Sequence, residues 1–165
     1  MACPFFMPIK KLENGAWPHA SRLPLGGGWS GYCSAPGYEG EVPERESLEQ
    51  FCNLGYARGC HRLPPTRAWD AVRFAVAAAE TGAEFRSNGQ ETSVARSSII
   101  HLRYVCEREH RPVEHGRLRF DGGGTGWLDR HLDIRLQKMA ECFLDSWLNK
   151  KTLQSEVSTG TDVAS

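Results

Sequence analysis

The sequence predicts an α+β fold: a loop-rich N-terminal cysteine module, then a short antiparallel β-sheet covered by a C-terminal amphipathic helix. Three observations predict it. Pro4, Pro8, Pro18, Pro24, Pro36, Pro43, Pro64 and Pro65 leave only Pro112 for the rest of the chain, which keeps long helices and central strands out of the first 65 residues. Ile100, Leu102, Tyr104 and Cys106 alternate with His101, Arg103, Val105 and Glu107, the period of a half-buried strand. Leu132, Leu136, Met139, Phe143 and Trp147 return at helical spacing, opposite Arg130, Asp133, Gln137, Glu141 and Asp145.

Taken in order, residues 1–65 read as a four-cysteine metal-binding module, mostly loops with one short helix over Pro43–Leu54. Pro43 suits a first helical turn, Leu48 and Phe51 face inward, and Gly55 ends it. Residues 66–151 read as a small α+β unit of antiparallel strands and the C-terminal helix. Asp70–Ala79 carries both signals: Val72, Phe74, Val76 and Ala78 alternate, while its alanines favour helix. Strand is preferred because neighbouring strands offer partners. Ile99–Glu107 pairs with His115–Asp121 across a turn-rich connector, EREHRPVEHG. Gly82–Ser98 reads as a polar loop, and Gly122–Gly126 breaks the chain before a helix over Asp129–Lys150. Residues 152–165 read as a disordered tail.

Lysine plus arginine and aspartate plus glutamate each number 20 among the 165 residues, so the formal charge is zero. Nucleic-acid binding is therefore not expected, since phosphate neutralisation dominates that affinity. No run approaches the roughly 20 apolar residues that span a bilayer. The start, MACPFFMPIKKLENG, places lysines after a short apolar stretch, the reverse of a signal peptide. A cytoplasmic protein is expected, and in a reducing compartment six cysteines point to metal or redox chemistry before disulfides.

The constellation that carries chemistry is Cys3, Cys33, Cys52 and Cys60, spaced C-x29-C-x18-C-x7-C. A segment poor in regular structure buries too little surface to offset its ordering entropy, and metal ligation supplies the missing stability. Structural zinc sites usually hold a C-x2-4-C knuckle, which is absent here. A cubane iron–sulfur cluster spreads its thiolates further apart, so four separate loops suffice, with Phe5, Phe6, Trp29, Tyr32, Phe51 and Tyr56 as apolar shielding. The spacing nonetheless matches neither common ferredoxin pattern. The expectation is thus a small iron–sulfur protein, of the [4Fe-4S] type by its ligand count, in electron transfer or redox sensing, docked on a larger redox or regulatory protein. The alternative is a zinc-stabilised protein–protein interaction module with no redox role. Disulfides, or cysteines buried only for packing, are the plain readings of the same residues.

Other candidates carry less. His61 follows Cys60 and reads first as an exposed histidine, then as a ligand or a sulfur hydrogen-bond donor. Glu107, Glu109, His110, Glu114 and His115 suit zinc or acid–base work but sit on a turn, where a solvated tip is the simpler account. Cys106 and Cys142 form a redox pair only if helix and hairpin touch there. GGGWSG and GGGTGW lack the lysine–hydroxyl ending of a phosphate loop, and no GxSxG elbow is present. Catalysis is not expected.

Overall fold

The computed structural model describes residues 2–12, 17, 23–56, 59–81 and 98–159. Their elements are β1 (Phe6–Lys11), β2 (Trp29–Cys33), α1 (Arg45–Ser47), a π-helical turn (Leu48–Cys52), β3 (Ala71–Thr81), β4 (Ser98–Arg108), β5 (Arg111–Asp121), β6 (Gly126–Trp127) and α2 (Ile134–Thr159). The fold is α+β, with a C-terminal helix and two antiparallel sheets. The expected polar loop Gly82–Ser98 lies outside the described residues up to position 97, and Ser98 opens β4.

The second half follows its alternation. Val72, Phe74, Ile100, Leu102, Tyr104, Cys106 and Leu118 turn inward from a four-stranded sheet ordered β3-β4-β5-β6. Residues 71–79 are strand because β4 supplies a ladder, Ala71 opposite Glu107 through Thr81 opposite Ser98 with one register shift between Val76 and Ala78, and packing overrides the helical preference of alanine. The hairpin is longer than its turn-rich connector predicts. Only Glu109 and His110 turn, both left-handed with φ of 51° and 63°, as a two-residue hairpin loop requires. Arg111 already belongs to β5, opposite Arg108.

The first half corrects the expectation. No distinct N-terminal cysteine module stands apart, and the short sheet is not single. β1 and β2 form a two-stranded antiparallel sheet, Phe6 opposite Cys33 and Lys11 opposite Trp29. A bulge between Pro8 and Lys10 admits the proline, which lacks a ladder donor. Gly31 lets the strands meet: a Cβ there would stand 2.0 Å from the Met7 carbonyl oxygen. Ala2 bridges Val72 of β3, with Ala2 N–H donating to the Val72 carbonyl at 2.8 Å and the reciprocal bond at 3.1 Å. One buried cluster runs from Ala2, Phe6, Leu25 and Trp29 to Val72, Leu102, Leu136 and Met139.

The helix starts later than its apolar stripe suggests. Asp133 ends the approach by accepting the Arg135 N–H at 2.9 Å, and its own carbonyl accepts the Gln137 N–H at 3.0 Å. Leu132 therefore precedes α2 and is fully exposed, whereas Leu136 and Met139 are fully buried and Phe143 and Trp147 are partly so. Phe143 stacks on Phe74 at 5.8 Å. The Cys142 thiol approaches the Pro8 carbonyl at 3.9 Å, so α2 touches both sheets. Gly26, left-handed at φ 72°, lies where a Cβ would meet that of Ser146 at 2.7 Å. The helix continues to Thr159, through the first residues expected as a disordered tail.

Candidate functional site

Four segments deliver Cys3, Cys33, Cys52 and Cys60 to the wall of one small cavity, of about 20 Å³. Cys3 is fixed by its N–H, which donates to the Cys52 carbonyl at 3.1 Å, and by its own carbonyl, which accepts from Phe6 at 3.1 Å. Cys33 closes β2: its N–H donates to Glu41 at 2.7 Å, its carbonyl accepts from Gly40 at 2.9 Å, and its sulfur accepts from the Ala35 N–H at 3.5 Å. Cys52 ends the π-helical turn, and Cys60 opens a tight turn whose Leu63 N–H donates back at 3.2 Å. Phe5, Phe6, Ala35, Phe51 and Leu63 complete an apolar wall.

Asn53 secures the site from behind. Its side chain is buried, accepts the Trp29 N–H at 2.9 Å, and donates to the carbonyls of Trp29 at 3.0 Å and Leu48 at 3.1 Å. One amide thus ties β2 to the turn that presents Cys52. Arg62 also lines the cavity. Its guanidinium lies over Tyr38 at 5.3 Å and pairs with Glu41 at 3.3 Å, while Nε and Nη1 are buried with no hydrogen-bond partner among the described residues.

Burial governs the thiols. It pushes Cys3 up to about 12, aided by the neighbouring Cys33 and Cys60 and opposed by backbone hydrogen bonds. Burial raises Cys52 well above the ordinary thiol range, with Cys3, Cys60 and Cys33 adding to it and Arg62 opposing it. Cys3 and Cys52 are therefore neutral thiols near neutral pH.

The metal expectation is overturned here. Among the described residues no group of three or more His, Cys, Asp or Glu side chains is arranged to hold a metal ion. The four cysteines share a cavity without forming a metal-holding group, so the iron–sulfur cluster and its zinc alternative fall together. With them go electron transfer and redox sensing through a cluster, and the zinc-stabilised interaction module. A metal takes thiolate, and burial raises Cys3 and Cys52 away from that form. All six cysteines are free.

The remaining candidates separate. His61 is exposed and sits edge-on to Tyr38 at 5.8 Å, outside the cavity wall. Of the expected aromatic shield, Phe5, Phe6 and Phe51 line the cavity; Trp29, Tyr32 and Tyr56 do not. Tyr56 instead donates to the buried Glu107 and stacks on His110 at 4.1 Å. Pairing across β4 and β5 sends His115 opposite Val105 and Glu114 opposite Cys106, so the hairpin carboxylates and histidines do not converge. Cys106 lies on β4 and Cys142 on α2, each raised to about 12 by burial.

The sequence hides Arg62, Asn53 and the pair Arg67–Asp70. The Arg67 Nε lies 2.5 Å from Asp70, which also accepts the Glu109 N–H at 2.8 Å. Asn53 follows Cys52 directly, and its residue type alone does not mark it as buried. Arg67, Asp70, Arg108 and Glu109 border an open polar concavity of about 520 Å³ that meets the thiol cavity at Cys60 and Leu63. The chain matches no protein-family model, no curated protein and no solved structure. No helix among the described residues is long and apolar enough to cross a membrane.

Proposed function

We propose that Cys3, Cys33, Cys52 and Cys60 form one ligand site, and that the chain is a small binding protein serving a larger protein partner in the cytoplasm. The observation that carries this is convergence: four cysteines from four separate segments line a single cavity. Packing alone asks for buried apolar volume and not for one residue type at every wall. The cavity has room for about one water molecule, so a ligand larger than that moves the wall on entry. The half-buried Cys60 is the natural point of entry, because it also borders the open concavity.

Binding is favoured over catalysis. A catalytic cysteine needs thiolate character, and burial works against that at Cys3 and Cys52. The test is native mass spectrometry of the full chain purified from its own cells. A constant extra mass is expected on the wild-type chain, lost in each of Cys3→Ser, Cys33→Ser, Cys52→Ser and Cys60→Ser and kept in Cys142→Ser. A bare wild-type chain, or an extra mass indifferent to all four substitutions, overturns the proposal.

A further inference from the structure

The solvent face of the four-stranded sheet carries segregated charge that the zero net charge conceals. Directly opposed residues share a face, so the register fixes its rows. One row is Arg73, Val105 and His115; the next is Ala75, Arg103 and Arg117; the third is Ala78, His101 and Arg119. Arginine thus occurs in every row, with two histidines beside it. Carboxylates stand at the ends of this face, the one at Glu107 being buried. Glu107 is engaged by Arg73 at 3.4 Å, and Glu80 and Asp121 flank Ile99 in the last row. Arg119 is neutralised by Asp129 at 2.6 Å.

The middle row is different. Arg103 and Arg117 are exposed, stand directly opposite each other on β4 and β5, and have no ion pair among the described residues. Like charges in that position weaken a sheet, and their Cβ atoms are only about 5 Å apart. We propose that this face docks an acidic segment of a partner protein, whose carboxylates pair with Arg103 and Arg117. Planar guanidinium groups take carboxylates in a two-pronged geometry, and an anionic partner converts the local repulsion into a binding contribution. A single-stranded nucleic acid fits less well. It calls for aromatic stacking platforms, whereas Phe74, Tyr104 and Phe120 of these strands all turn to the core.

The test uses the full chain and a fluorescently labelled oligoglutamate peptide, read by anisotropy. Arg117→Glu should weaken binding about tenfold or more, as should Arg103→Glu, and added salt should weaken the wild type. Arg117→Glu also places opposite charges face to face, so its Tm should match or exceed that of the wild type, which separates lost docking from lost folding. Absent binding by the wild type, or binding unchanged by both substitutions, overturns the proposal. Tighter binding of a mixed-sequence single-stranded oligonucleotide through the same two arginines also overturns it, in favour of a nucleic-acid partner.

Discussion

Residues 2–56 and residues 66–151 solve the same problem by different means. The later region relies on repetition: three strands of 11 residues pair in one ladder, Val72, Phe74, Ile100, Leu102, Tyr104 and Cys106 of β3 and β4 turn inward at alternate positions, and β5 adds Leu118 and Phe120. The earlier region has strands of 6 and 5 residues and a three-residue α-helix, so only a short two-stranded ladder organises it. Individual side chains hold it together instead. Asn53 ties β2 to the π-helical turn, four cysteines meet at one cavity, and Ala2 pairs with β3. The contrast teaches that a segment without periodicity need not be a separate module, because its apolar groups can enter the neighbour's core one at a time.

The largest expected effect concerns that shared core. Leu136 is fully buried in the cluster that joins both regions. Leu136→Ala should cost on the order of 2–5 kcal/mol in denaturant unfolding. Hydrogen exchange should then show lost protection in β1 as well as in β3. Loss confined to residues 66–151 would restore a boundary near Pro65.

A smaller effect is expected at Asn53. Asn53→Ala strands the Trp29 N–H and the carbonyls of Trp29 and Leu48 in a buried setting. A cost of about 2–3 kcal/mol follows from leaving such groups unpaired. Fluorescence of Trp29 and labelling of Cys52 should change with it, while protection in β4 and β5 is retained. A neutral substitution would mean that water reaches these groups and that the earlier region is looser than described.

Both regions should respond alike to alkali. Burial lifts Cys3, Cys106 and Cys142 to about 12, against 9.0 for an ordinary thiol. The native state therefore keeps protons that the unfolded state releases. This contribution is intact below about pH 9 and is lost as pH rises towards about 12. Unfolding free energy should fall over that window, less steeply in Cys142→Ser. A flat profile would mean that these thiols ionise in the folded chain as freely as in the unfolded one.

How far the sequence reveals this depends on how each element is held. The β3–β4 pairing and the inward set of β4 are legible, because Ile100, Leu102, Tyr104 and Cys106 keep strict alternation over a long strand. β1 and β2 are not: Pro8 and a bulge interrupt β1, and its burial runs inward for three residues before turning out. Leu132 matches the helical spacing to Leu136 but lies outside α2, since Asp133 caps the helix one residue later. At the site, the cysteines are conspicuous by type, but their geometry is tertiary. Spacing could not tell a shared cavity from a metal-holding group, nor show that burial raises the Cys3 and Cys52 thiols. Arg62 carried no signal beyond its nearness to Cys60.

Whether the four cysteines act as one site can be measured directly. A double-mutant cycle of Cys3→Ser, Cys52→Ser and the double variant, followed by denaturant unfolding, measures it. Residues around one cavity should couple by about 0.5 kcal/mol or more, because either substitution perturbs the wall the other relies on. Effects that add to within about 0.3 kcal/mol would mean that Cys3 and Cys52 are packed independently, and would contradict a common site.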